Sequence, residues 1–156
     1  MVIQRWQSVL LFFAVLMMGV FTFSSLGQVQ TADFTLNFTS LGFTYEGVAT
    51  NGAPTGYFLH TWYFFIVSLA SALLMLLDIF LFKNFRLQKS VCCISILFAI
   101  ASAAVAAGIG YYSVDGADVS WSTMAFCPLL AIFACIMALR CIRRDERLLR
   151  SVDRLR

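Results

Sequence analysis

The sequence predicts an all-α membrane protein: a bundle of four membrane-crossing helices with a small β-hairpin in one extracytoplasmic loop. Three observations predict it. Of its 156 residues, 61% are hydrophobic and only 12% charged, against roughly 45–50% and 25% in soluble domains. Four apolar stretches each reach the roughly 20 residues that cross a bilayer as a helix. Every lysine and arginine falls at one of three places, and these places alternate with the apolar stretches as a four-pass chain requires.

The four predicted spans run from Trp6 to about Leu26, Tyr57 to about Phe82, Ser90 to Tyr112, and Val119 to Ile142. Helices are expected because lipid cannot satisfy open strand edges. The apolar run Val9–Leu26 is longer than the core of a secretory signal, so an uncleaved first helix is expected; a signal peptide cut after Ser25 or Gly27 is the alternative. The bases are Arg5 before the first span, Lys83, Arg86 and Lys89 between the second and third, and Arg140, Arg143, Arg144, Arg147, Arg150, Arg154 and Arg156 at the end. The positive-inside rule places all three groups, and both termini, in the cytoplasm. The opposite side holds Asp33, Glu46, Asp115 and Asp118 and no base. Tyr57, Trp62, Tyr63, Tyr111, Tyr112 and Trp121 lie near the outer ends of the spans, where an interfacial aromatic belt is expected.

Residues 28–56 form the longest loop. In "ADFTLNFTSLGFTYEGV", Phe34, Leu36 and Phe38 alternate with Thr35, Asn37 and Thr39, and Phe43 and Tyr45 continue the pattern. This period of two predicts a hairpin with its turn near Ser40–Gly42, followed by a loose descent through "ATNGAPTG". "DGADVSW" at 115–121 reads as a tight connection in which Asp118 or Ser120 caps the fourth helix. "FKNFRLQKS" at 82–90 reads as a short turn, with Ser90 capping the third. That helix carries two rows of small residues, Ser95, Ala99, Ala103, Ala107 and Ser102, Ala106, Gly110, which suit close packing inside the bundle or a homo-oligomeric face. Pro128 is expected to bend the fourth helix.

Little in the chain points to catalysis. The five cysteines include no CxxC pair and none lies in an outer loop, so they read as small apolar residues. His60 is the single histidine, whereas a metal site needs several converging ligands. No nucleophilic triad, phosphate loop or paired carboxylate set is visible. No catalytic residue, cofactor or metal is therefore expected. Asp78 is the exception to a plain apolar core. An ionisable residue within a span is a functional candidate by default, but Asp78 lies only five residues before Lys83. The expected role is a structural ion pair with Arg140, or with Lys83, pinning the second and fourth helices; a proton or ion relay is the alternative.

The tail "RCIRRDERLLRSVDRLR", 140–156, has Arg140, Arg143, Arg147, Arg150 and Arg154 spaced 3, 4, 3, 4. This is one stripe of a helix that continues the fourth span. Beside it Cys141, Leu148, Val152 and Leu155 form an apolar stripe interrupted by Asp145, and Glu146 precedes Arg150 by four residues, the favourable order for an ion pair. The expected docking residues are Arg143, Arg144, Arg147, Arg150, Arg154 and Arg156. Anionic lipid headgroups, an acidic protein and RNA are the candidate partners. The interspersed acids argue against a purely polybasic lipid clamp, and the lack of aromatics argues against base stacking.

"MVIQRWQSVLL" at the start, "FLFKNFRLQ" at 80–88 and the tail "ALRCIRRDERLLRSVDRLR" resemble DUF4293, an uncharacterised family of bacterial inner-membrane proteins from Bacteroidota. The likeness spans the chain, and the tail is its most specific part. It implies an inner-membrane location and an intact first helix, and it assigns no activity. The expected function is a non-enzymatic accessory or scaffold subunit that docks a partner, preferentially a protein, through its arginine-rich end. A small proton-coupled carrier using Asp78 is the alternative.

Overall fold

A seven-residue repeat of small and apolar side chains builds the core of four helices: α1 (Ile3–Phe23), α2 (Trp62–Phe80), α3 (Phe85–Tyr112) and α4 (Cys127–Asp153). The computed structural model describes residues 3–30, 35–46, 57–81, 84–112 and 118–153, with side chains described for 6–30, 35–45, 60–81, 84–112 and 119–148. Four apolar segments, Trp6–Phe23, Trp62–Phe80, Phe85–Tyr112 and Thr123–Leu148, are long and apolar enough to cross a membrane. Each buries a stripe spaced alternately by three and four: Gln7, Leu11, Ala14, Met18 and Phe21 on α1, and Gln88, Cys92, Ser95, Ala99, Ser102 and Ala106 on α3. Ala131, Ala138, Ile142 and Asp145 continue the pattern on α4. This repeat suits knobs-into-holes packing of nearly parallel axes. The helices form a ring in which α1 contacts α2 and α4, and α3 contacts the same two.

Neighbouring helices run antiparallel. Phe21, near the end of α1, meets Phe64, near the start of α2, and Lys89, near the start of α3, meets Glu146, late in α4. One end of the bundle thus gathers the start of α1, the α2–α3 turn and the end of α4. This basic end carries Arg86, Lys89, Arg140, Arg143, Arg144 and Arg147, and a β-sheet covers the other.

That sheet is larger than the expected hairpin. β2 (Thr35–Thr39) and β3 (Gly42–Glu46) pair as anticipated around a Ser40–Leu41 turn. Gly42 takes φ 142° there, a conformation that favours glycine. Three further strands join: β1 (Ser25–Gln30), β4 (Tyr57–His60) and β5 (Asp118–Trp121), in the antiparallel order β4-β3-β2-β1-β5. The helices are correspondingly displaced from the expected spans. α1 stops at Phe23 rather than near Leu26, α2 starts at Trp62 rather than Tyr57, and "DVSW" is a strand rather than a capped turn. The cap after it is Ser122, whose Oγ accepts from the Met124 backbone N–H at 3.4 Å and starts a 3₁₀ turn, Thr123–Phe126. Pro128 does not bend a helix interior: it is the second residue of α4, in the first turn, where its missing N–H costs nothing. α3 begins at Phe85, so Ser90 lies inside it rather than at its cap. The "ATNGAPTG" segment and Phe34 lie outside the described residues.

A two-stranded hairpin alone is marginal in water. Here the sheet is tied to the helix ends. Ser40 Oγ donates to the Thr22 carbonyl at 2.5 Å, and Thr61 Oγ1 donates to the Ser40 carbonyl at 3.0 Å. Fully buried Phe38 stacks on Phe43 at 4.8 Å and lies 6.2 Å from Phe64 of α2, with Trp121 of β5 edge-on at 6.3 Å. Gly110 lets α3 approach this layer, since a Cβ there would come within 2.5 Å of the Trp121 ring.

The small-residue rows of α3 are mostly spent within the bundle. Ser95, Ala99, Ser102 and Ala106 are buried, while Ala107 is exposed and lines, with Ala103, Phe21 and Trp121, an apolar groove of about 270 Å³.

Candidate functional site

Two features at or near the basic end carry the polar chemistry of the bundle: a buried acid on α2 and an arginine face on α4. Among the described residues the expected Asp78–Arg140 ion pair does not form. Asp78 is fully buried, neither of its carboxylate oxygens has a hydrogen-bond partner of ordinary geometry among the described residues, and Arg140 is exposed. The cause is helical phase. The buried α4 stripe passes through Ala138 and Ile142, and Arg140, midway between them, is turned about half a revolution away from the core. Lys83, the other expected partner, lies outside the described residues.

Asp78 instead faces α3. Its carboxyl lies beside the Cys92 thiol, which lies beside Cys135 and donates to the Cys135 carbonyl at 3.7 Å. Gln88 Nε2 approaches the Asp78 backbone carbonyl at 3.5 Å, and Gln88 Oε1 is itself buried without a partner. Three acceptor oxygens are thus collected in the core with no donor of ordinary geometry. Among the described residues, no group of three or more histidine, cysteine or acidic side chains is arranged to hold a metal ion. All five cysteines are free thiols.

Asp145 of the tail is also placed differently from the expectation. Asp145 does not interrupt an outward apolar stripe. It occupies the buried line of α4, and its Oδ2 accepts a hydrogen bond from Gln7 Nε2 of α1. Glu146 turns toward α3 and pairs with Lys89, Nζ to Oε2 2.5 Å. Both acids therefore tie α4 to its neighbours. Gln7 had no assigned role in the sequence, yet its place on the Leu11–Ala14–Met18 stripe is a signal that it faces inward. Gln7→Ala is expected to lower stability by about 1–3 kcal/mol, because it strips a buried carboxylate of its donor. Thermal unfolding of the detergent-purified protein measures it.

With the acids turned in, the outer surface of α4 is basic. Arg140, Arg143, Arg144 and Arg147 are all exposed. With Leu148 they line a shallow concavity of about 550 Å³ whose walls are mostly carbon. A neighbouring concavity of about 370 Å³ is more polar and holds the Lys89–Glu146 pair between Arg143 and Arg147. Of the other expected docking residues, the Arg150 backbone is helical, while its side chain and all of Arg154 and Arg156 lie outside the described residues.

Fold and surface together define a class: a four-helix bundle of membrane-crossing length, capped at one end by a small antiparallel sheet and basic at the other. Within that class the chain belongs to DUF4293, a family of unknown function whose profile matches residues 3–155. Among proteins of curated function none matches it.

Proposed function

We propose that the protein is a multi-pass subunit of the bacterial inner membrane with both termini in the cytoplasm. In this reading it is a non-enzymatic accessory or scaffold protein that docks a partner through the arginine face of α4. The observation that carries the reading is the inward turn of Asp145 and Glu146, which leaves exposed arginines on a rigid helix packed against α1 and α3. The segregation of bases at one end of the bundle supports the orientation. The full-length protein with Arg147, Arg150 and Arg154 replaced by glutamate is expected to fold and insert but to lose a protein that co-purifies with the wild type from native membranes. An unchanged set of co-purifying proteins sinks the reading.

The buried Asp78, without a partner of ordinary geometry among the described residues, favours a second reading, a small proton-coupled carrier. An ionised carboxylate buried without a partner is costly, and membrane proteins keep such groups chiefly where they serve transport. Proton-driven uptake into vesicles containing the purified protein, abolished by Asp78→Asn, is the result this reading requires.

A further inference from the structure

The exposed face of α4 changes character along its length while keeping one phase. Leu129, Phe133 and Ile136 are exposed and apolar, and Arg140, Arg143 and Arg147 continue them as exposed bases. The spacing is 4, 3, 4, 3, 4, a single stripe on a helix of 3.6 residues per turn. Asp145 and the buried alanines lie on the opposite side, so this stripe points away from the bundle. A hydrocarbon core of about 30 Å takes up about 20 helical residues. Counted from Thr123, where the apolar segment begins, it ends near Ile142. Arg143, Arg144 and Arg147 then fall at headgroup depth, with Arg140 one turn deeper.

We propose that this stripe is a binding site for an anionic phospholipid of the cytoplasmic leaflet, its phosphate held among Arg140, Arg143, Arg144 and Arg147 and its acyl chain laid along Ile136, Phe133 and Leu129. The inference rests on the membrane orientation proposed above and names the partner of the same arginine face. Three observations select a lipid over an acidic protein or RNA. The stripe passes from apolar to basic in the order in which a phospholipid passes from chain to phosphate. The arginine concavity has mostly carbon walls, which suit a glycerol backbone and the tops of acyl chains better than a hydrated polymer. Of the interspersed acids that in the sequence speak against a lipid clamp, Asp145 faces the bundle and Glu146 is paired with Lys89, so Arg140, Arg143, Arg144 and Arg147 carry the exposed charge of the stripe. Guanidinium groups match phosphate geometry through paired donors. The more polar neighbouring concavity keeps a carboxylate in place and would repel a phosphate.

The test uses the full-length protein in phosphatidylcholine vesicles carrying a trace of spin-labelled phosphatidylglycerol or spin-labelled phosphatidylcholine. The motionally restricted fraction of each label is read by electron paramagnetic resonance. The wild type is expected to restrict phosphatidylglycerol several-fold more strongly than phosphatidylcholine, with the preference largely lost in about 1 M salt, where the screening length is about 3 Å. Replacing Arg140, Arg143, Arg144 and Arg147 with glutamine should equalise the two lipids. Replacing Arg86, a base at the same end but off the stripe, should not. Equal restriction of both lipids by the wild type overturns the proposal without any variant having to fold, and so does a preference that survives the four replacements. If selectivity is absent but an arginine-dependent protein still co-purifies, the site belongs to that protein and the docking reading stands. If selectivity is present and no such protein is found, the lipid assignment stands and the protein-docking reading falls.

Discussion

Phe38→Ala should destabilise the protein by about 3–5 kcal/mol, the usual cost of emptying a buried phenylalanine site. Phe38 is fully buried at the junction of sheet and bundle. Its ring stacks on Phe43, lies over Phe64 of α2, and meets the edge of Trp121 in β5. Alanine would leave these rings facing a void, and the aromatic contribution, about 0.5–1.5 kcal/mol per pair, would be lost with the area. The sheet should detach before the helices separate, because its strands are short and two of them, β4 and β5, are edges. Limited proteolysis at the sheet end, followed beside thermal unfolding in detergent, separates the two events. Phe133→Ala is the control: that ring is 64% exposed, and its loss should change stability in detergent by less than about 0.5 kcal/mol. Equal effects of the two substitutions would refute the packing described here.

Asp78→Leu should move stability the other way, by about 1–3 kcal/mol in favour of the folded state. A buried polar group without a partner carries its desolvation cost unrelieved, and exchanging such a group for an apolar one of comparable size is neutral or stabilising. Among the described residues neither Asp78 oxygen has a hydrogen-bond partner of ordinary geometry, and the fully buried Cys92 thiol lies beside it. A raised unfolding temperature would mark Asp78 as a residue kept at a cost to stability, which suits a role in transport or binding. A lowered one would mean that water or a cation completes the site. In the carrier reading, the stabilised variant is also inactive.

Much of the architecture was legible in the sequence because its signals are local. An apolar run of about 20 residues is recognisable without knowing its neighbours. Period-two alternation in Thr35–Glu46 marks β2 and β3 for the same reason, and the turn at Ser40–Leu41 falls where the pattern breaks. β1, β4 and β5 were not legible. β1 and β4 hold six and four residues and continue apolar runs that read as helix ends, and four-residue β5 reads as a turn. Such short segments become strands because neighbours offer them edges: β2 pairs with β1, β3 with β4, and β1 in turn with β5.

The candidate site divides in the same way. Arg140, Arg143 and Arg147 at helical spacing announce a basic face, since the period of an α-helix is the same in any context. The placement of Asp78, Asp145 and Glu146 depended on the rotation and register of one helix against another. Asp78 and Arg140 are expected at similar depth from their places in the sequence, yet α4 turns Arg140 outward. Asp145 and Glu146 look like diluting charges in the sequence, yet they point to Gln7, 138 positions away, and to Lys89, 57 positions away. By itself the sequence determined four apolar helices, a hairpin and one basic end, because composition and period are properties of a single segment. Only the tertiary structure decided the five-stranded sheet, the burial of Asp78 against Cys92 and the outward turn of Arg140, Arg143 and Arg147, because each requires knowing which face of a helix meets which neighbour.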